Sequence, residues 1–139
     1  MSTLFLLGKN SMIFSFFTVT ILVGLAGALG ACARYLLGRF VAERIGSRFP
    51  YGTLFINVSG TFLIGLLFAL AARRLIPPAV QATLATGFLG GYTTFSTMSW
   101  EGVQLARGGS ARASMSYLGG SIISGLLAAT LGLLLGWWL

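Results

Sequence analysis

Four long stretches of the chain contain no charged residue, and this spacing of charges constrains the fold more than any other feature of the sequence. The stretches cover residues 10–33, 49–72, 75–100 and 113–139, which are 24, 24, 26 and 27 residues long. A helix needs about 20 apolar residues to cross the ~30 Å hydrocarbon core of a bilayer, so every stretch is long enough. The sequence therefore predicts an all-α integral membrane protein with four transmembrane helices.

A single four-helix transmembrane domain is predicted to occupy residues 1–139. The predicted helices cover approximately 12–35, 53–72, 79–101 and 112–138, and the third is interrupted near 90–94. The whole chain has nine basic and two acidic residues, and 56% of its residues are apolar. About a quarter of the residues in a soluble domain are charged, so this composition excludes a water-soluble globule.

The first stretch permits a second interpretation as a secretion signal. Lys9 precedes it, and Leu29-Gly30-Ala31-Cys32 loosely resembles a lipoprotein cleavage site. The apolar part is longer than the ~7 to 15-residue core of a secretion signal, and three more membrane-length stretches follow, so a transmembrane helix is favoured. Cys32 is the one cysteine of the chain, so an intrachain disulfide is impossible.

The basic residues cluster at the ends of the predicted helices, which argues against nucleic-acid binding despite the net charge of +7. Lys9, Arg73 and Arg74 fall on one side of the membrane. The six on the opposite side are Arg34, Arg39, Arg44, Arg48, Arg107 and Arg112. This six-to-three excess modestly favours a cytoplasmic location for the second side, with both termini outside.

Glycine is unusually common, with 20 residues that recur in all four predicted helices. Gly87 and Gly91, for example, lie four residues apart in the third. Small residues at such spacing allow membrane helices to approach closely. The pattern predicts association of subunits, with a homodimer as the simplest form; the alternative is that these glycines serve only packing within one subunit.

The third stretch contains a poor helix-forming segment, Gly90-Gly91-Tyr92-Thr93-Thr94, near the predicted bilayer midplane. We expect the helix to break there, because adjacent glycines and β-branched threonines disfavour it. Unwound backbone at membrane depth requires protein, water or an ion as a partner, and discontinuous helices bind ions in several transport proteins. The alternative is a continuous, kinked helix whose hydroxyls bond to the preceding turn.

Polar side chains in and near this segment are candidates for an ion path. Five hydroxyls occur within seven positions, which predicts a wet path or a subunit interface: Thr93, Thr94, Ser96, Thr97 and Ser99. Asn57 lies inside the second predicted helix, and its two N–H donors make it a candidate anion ligand. The alternative role of Asn57 is a hydrogen bond between helices.

Charged groups near the predicted path are few. Arg34 ends the first predicted helix and Glu101 ends the third, where they also fit a snorkelling arginine and a carboxylate at the membrane rim. No Asp, Glu, Lys or His lies well inside a predicted helix, which favours passive conduction over proton-coupled exchange. Without histidine, paired carboxylates or a metal-ligand cluster, the sequence also argues against an enzyme.

Three segments resemble the CrcB or Fluc family of fluoride channels: residues 30–35, 50–60 and 86–97. The resemblance extends from Gly27 to about Gly132. It implies a fluoride-selective passive channel that exports toxic fluoride through the inner (plasma) membrane of a microbial cell. It also implies an antiparallel, dual-topology dimer in membrane lipid, with two fluoride pathways and a structural sodium ion at the centre.

The same resemblance implies roles for particular residues. Backbone carbonyls of Gly90 and Thr93 from both subunits would hold the sodium ion. Asn57 would donate to the fluoride ion, and Phe95 would present its positive ring edge to it. Polar contacts along the pathway would come from four further residues: Ser96, Thr97, Tyr117 and Ser121.

The sequence departs from the family pattern at two positions. Met98 stands where the family commonly has a second phenylalanine, and Gly125, next to Ser124, stands where a serine is expected. The uneven charge distribution also fits poorly with insertion in both orientations. One alternative is therefore a subunit of a paired heterodimeric channel. Two others are a carrier of another small ion or solute and a non-conducting membrane assembly protein.

Overall fold

The computed structural model describes the backbone of residues 2–46 and 48–139, and the side chains of residues 15–46 and 48–139. All regular structure in the described residues is helical. The three long helices are α1 (Ser2–Ile45), α2 (Tyr51–Ala72) and α6 (Ala111–Trp138). Between α2 and α6 lie α3 (Pro78–Gln81), a π-helix (Ala82–Leu89), α4 (Gly90–Tyr92) and α5 (Phe95–Arg107).

Three helical segments are long and apolar enough to cross a membrane. They are Ser15–Ile45, Tyr51–Ala72 and Ala111–Trp138, with mean hydropathies of 2.1, 2.1 and 2.0. Few of their residues are fully buried in the isolated chain, as expected for helices that face lipid or another subunit. The chain is therefore an all-helical membrane protein.

Helix α1 is much longer than a bilayer requires. Its 44 residues extend about 66 Å at 1.5 Å per residue, roughly twice the thickness of the hydrocarbon core. The helix ends at Ile45 and is followed by Gly46, whose φ of 98° is readily adopted by glycine and whose N–H donates to Ala42 O at 3.0 Å. Helix-forming residues continue from position 36 to this glycine, so α1 does not stop at Tyr35.

The segment between α2 and α6 is interrupted at Thr93 and Thr94. Both residues have extended backbone, with ψ of 157° and 120°. They lie within the 90–94 interval in which the sequence predicts a break. Helix α5 begins again at Phe95 and has 13 residues, about 20 Å, so it is shorter than a bilayer is thick.

Glycines bring the helices into close contact as two parallel pairs. In the first pair, Gly65 of α2 lies against Ala129 O, and Gly132 of α6 lies against Phe62 O. In the second pair, α1 packs against the π-helix and α4, where Gly91 lies against Gly27 O. A Cβ atom at these glycines would overlap the facing backbone, so they serve packing within one subunit.

The glycines that stay open are different ones. A Cβ atom added at Gly24, Gly119 or Gly120 would meet nothing within 4 Å.

The core itself is small and lies beside the interruption, where Ile56, Leu89 and Tyr92 pack together at 2%, 2% and 8% exposure. This placement anchors the segment before the interruption to α2.

We expect Gly132→Ala to destabilise the protein by about 1–3 kcal/mol, because the added methyl group has to push α6 away from the α2 backbone. Gly119→Ala is the matched control on the same helix, since its methyl group enters open space. Thermal unfolding in detergent, followed by tryptophan fluorescence, measures both. Equal stability of the two variants would contradict close α2–α6 packing.

Candidate functional site

Asn57 holds the interruption through two reciprocal hydrogen bonds. Its Nδ2 donates to Thr94 O at 2.9 Å, and Thr94 N donates to its Oδ1 at 2.8 Å. The second bond gives the Thr94 N–H an acceptor that it lacks in the interrupted helix, and the first adds a donor at the Thr94 carbonyl. The second Nδ2 hydrogen of Asn57 has no acceptor among the described residues. Asn57 therefore makes an interhelical bond and retains one free donor.

The hydroxyl of Thr94 restarts the helix. Thr94 Oγ1 accepts from Thr97 N at 3.2 Å, which is the contact of an N-cap residue. The same oxygen donates to Thr97 Oγ1 at 3.0 Å and lies 3.3 Å from Ser96 Oγ. Three of the five predicted hydroxyls thus form one cluster at the start of α5.

This arrangement leaves backbone carbonyls without their usual donors. In a continuous helix, Thr94 N would donate to Gly90 O and Thr97 N would donate to Thr93 O. Both donors are used elsewhere, by Asn57 and by Thr94 Oγ1. Thr93 O instead accepts a hydrogen bond from Nη1 of Arg34 at 3.4 Å. Arg34 therefore lies at the same level along the helices as the interruption.

A groove of about 350 Å³ lies between the interruption and α6. It brings together four of the predicted pathway residues: Asn57, Phe95, Met98 and Ser121. The Phe95 ring is 76% exposed in the isolated chain, whereas Met98 is buried. The groove also reaches Gly125, the position without the expected serine.

Ser121 is the most unusual residue of the groove. It is 5% exposed. Among the buried side-chain oxygen and nitrogen atoms of the described residues, its Oγ is the one that makes no hydrogen bond. A buried hydroxyl without a partner costs free energy comparable to a lost hydrogen bond. The groove therefore offers a donor that a bound ion or water can use.

A second polar cluster surrounds Glu101, one helical turn from the groove. Thr53 Oγ1 donates to Oε1 of Glu101 at 2.9 Å, and Tyr117 OH donates to Oε2 at 2.7 Å. Tyr117 is 1% exposed, so Glu101 is held by buried donors on one side. Glu101 also lines a cleft of about 600 Å³, together with Arg48 and Gln104.

The two clusters are connected by helical spacing. Tyr117 and Ser121 lie four residues apart on α6, and Thr53 and Asn57 lie four residues apart on α2. Thr53 was not among the predicted site residues, although its position one helical turn before Asn57 was a signal that could have identified it. Ser96 and Thr97 do not line the groove.

Replacing Asn57 by leucine is expected to destabilise the protein by about 1–3 kcal/mol, because the Thr94 N–H loses its acceptor and the Thr94 carbonyl loses the Nδ2 donor. Hydrogen exchange at the Thr94 amide should accelerate as well. Thr61→Val is the control in the same groove, since the Thr61 hydroxyl bonds only to Val58 O of its own helix. An Asn57→Leu protein as stable as the control would show that these bonds do not hold the interruption.

Comparison with known proteins extends over most of the chain. The family model described as CrcB-like protein, Camphor Resistance (CrcB), matches residues 21–133. A protein of Acidobacterium capsulatum named fluoride-specific ion channel FluC is 49% identical over 115 residues, which is 82% of this chain and 92% of that protein.

Two further relatives carry numbered names. Fluoride-specific ion channel FluC 2 of Moorella thermoacetica is 48% identical over 110 residues, or 79% of this chain and 89% of that protein. Fluoride-specific ion channel FluC 1 of Leifsonia xyli subsp. xyli is 48% identical over 118 residues, or 85% of this chain and 86% of that protein. The matched region contains the groove and the Glu101 cluster, and the chain belongs to the CrcB-like family.

Proposed function

We propose that this chain forms a fluoride-selective passive channel that exports cytoplasmic fluoride through the plasma membrane and lowers its toxicity. The relatives of this chain are named fluoride-specific ion channels, so it is a channel protein and not an enzyme. The observation that carries the proposal is the buried hydroxyl of Ser121, which has no partner in the described residues and lines the same groove as the Phe95 ring.

Fluoride is small and strongly hydrated, so a selective path has to replace its water with closely placed donors. The groove supplies the Ser121 hydroxyl, the remaining Nδ2 hydrogen of Asn57 and the positive edge of the Phe95 ring. A larger anion would be held farther from these donors. Met98 has no aromatic ring, so Phe95 provides the ring edge that this chain contributes to the groove.

From the groove, the ion would pass Tyr117 and reach the cleft beside Glu101. Tyr117 and Thr53 both donate to the Glu101 carboxylate. Their hydroxyl hydrogens therefore become available to an anion only when the carboxylate releases them. Arg48 lines the cleft beyond and favours an anion there.

The segment from α3 to α5 would cross the membrane as an interrupted fourth helix. Contacts at Gly65–Ala129 and at Gly136–Ala69 show that α2 and α6 run in the same direction. The chain has to return across the membrane between them. Extended backbone at that depth is tolerated because Asn57 satisfies Thr94.

The active form would be an antiparallel, dual-topology dimer. The Phe95 ring is too exposed in one chain to form a closed path, so a second copy would have to cover it. Arg34 lies at the depth of the interruption and not in a loop. Without Arg34, five basic residues remain on one side of the membrane and three on the other. This count is closer to the even distribution that insertion in both orientations requires.

The sodium ion would bind between two copies, at Gly90 O and Thr93 O of each. The residues present fit this cation, because both carbonyls lack their helical donors and carbonyl oxygens suit a small, hard cation. The ion would neutralise converging carbonyl dipoles at the interface. The Arg34 guanidinium opposes a cation at Thr93 O, so the four oxygens together have to outweigh this repulsion.

Gly90→Ala tests the sodium site without disturbing the single chain. A Cβ atom at Gly90 comes no closer than 3.9 Å to Ala85 O, and alanine favours a helix more than glycine does. We expect a folded variant that dimerises at least tenfold more weakly, which corresponds to about 1.4 kcal/mol. Its dimerisation should also no longer change when N-methylglucamine replaces sodium. A normal dimer with a normal sodium response would remove these carbonyls from the site.

Fluoride efflux from liposomes that contain only this purified chain tests the channel. A fluoride electrode records the release, a potassium ionophore balances the charge, and chloride is the control anion. We expect rapid fluoride release without a proton gradient and without chloride release. Phe95→Ile should reduce the release about tenfold or more, whereas Trp100→Leu, on the same helix, should leave it unchanged.

Failure of the wild-type chain to release fluoride would mean either that a partner chain is missing or that the proposed function is wrong. The numbered names FluC 1 and FluC 2 among the relatives favour a test with a related chain as partner. Release restored by such a chain would replace the homodimer with a heterodimer. Full release by Phe95→Ile would remove the ring-edge contact from the mechanism.

A further inference from the structure

Arg73 fixes the end of the molecule where α2 and α6 finish. Its Nη1 donates to Gly136 O at 3.0 Å and to Trp137 O at 3.2 Å. These carbonyls belong to the last turn of α6 and have no helical donors of their own. The Arg73 guanidinium is therefore bound to the C-terminal end of α6. Arg74 is the next residue in the chain.

The backbone of Arg74 adopts a conformation that glycine adopts more easily. The φ of Arg74 is 58°. Among the described residues, Arg74 is the one non-glycine residue with a positive φ. Arg74 N donates to Ala71 O and Leu75 N donates to Leu70 O, both at 2.9 Å, which is the usual C-terminal motif of a helix. An L-residue in this position is strained, so the strain has to be offset elsewhere in the structure or by a binding partner.

Among the described residues, no group bonds to the Arg74 side chain and offsets this strain. The chain has two acidic residues, Glu43 and Glu101, and both lie toward the opposite end of α2. Glu43 pairs with Arg39 at 2.7 Å, and Glu101 accepts from Thr53 and Tyr117. Within the described residues, the Arg74 side chain makes no hydrogen bond or ion pair.

The depth of Arg74 indicates what its partner is. Helix α2 has 22 residues and is about 33 Å long, close to the ~30 Å hydrocarbon core, so Arg74 lies at the level of the lipid headgroups. Trp137 and Trp138 end α6 beside it and are 57% and 91% exposed. Tryptophan is enriched at this level of the membrane.

We propose that Arg74, positioned by the Arg73–α6 contact, binds the phosphate of an anionic phospholipid. The guanidinium supplies a forked donor that matches a phosphate oxygen pair, and the two tryptophans pack against the upper part of the acyl chains. The Arg74 side chain is exposed at the end of α2, where it can reach a lipid headgroup.

Fluorescence quenching by brominated lipids tests the proposal directly. Trp100→Phe leaves Trp137 and Trp138 as the fluorophores of the chain. The variant is placed in phosphatidylcholine vesicles that contain dibrominated phosphatidylglycerol or, in the matched sample, dibrominated phosphatidylcholine. We expect phosphatidylglycerol to quench with an apparent affinity about fivefold higher, which corresponds to one arginine at the membrane surface.

Variants at position 74 separate charge from backbone conformation. Arg74→Asn retains a residue that tolerates positive φ and should lose the preference, whereas Arg74→Lys should retain most of it. Arg112→Gln, at the start of α6, should leave the preference unchanged. Equal preference in the Arg74→Asn protein would overturn the proposal, and so would loss of the preference on adding inorganic phosphate, which would assign the site to a soluble anion.

Discussion

The reciprocal hydrogen bonds between Asn57 and Thr94 are the interaction on which the rest of the structure depends. Backbone that leaves a helix needs other hydrogen-bond partners, and here one carboxamide acts as donor and acceptor for a single residue. Once Thr94 is held, its hydroxyl can cap α5, and the carbonyls of Gly90 and Thr93 lose their helical donors. A local break in a helix thereby exposes oxygens and hydroxyls in a fixed arrangement.

Glycine packing explains how Asn57 reaches Thr94. The α2–α6 pair and the pair of α1 with the third segment are each held by close backbone contacts, as at Gly132 and Gly91. Gly60 of α2 leaves room for the Thr93 side chain, since a Cβ atom there would overlap the Thr93 methyl group. The groove with Ser121 is formed where the two pairs meet, so its shape follows from how closely each pair packs.

The sequence predicted the membrane-protein class from the spacing of charges, because this spacing is a property of the chain itself. The interval 90–94 could likewise be identified from its poor helix formers, and it contains Thr93 and Thr94. The bonds that Asn57 and Glu101 make could not be predicted, because they depend on how far each helix is rotated and on the depth to which it is inserted. The pairing of Thr53 and Tyr117 around one carboxylate is such a case. The length of α1 was missed for a different reason: Arg34 and Arg39 resemble the end of a membrane helix, yet the helix continues to Gly46.

The exposure of the Phe95 ring has a consequence for how a cell would control this activity. In the proposed dimer, a ring that is 76% exposed in one chain would complete a path only when a second chain covers it. Because two chains have to meet in the plane of the membrane, the number of complete paths would rise with the square of the number of chains while pairs are rare. Low expression would then leave mostly single, inactive chains, and a modest increase in synthesis would give a disproportionate gain in conduction.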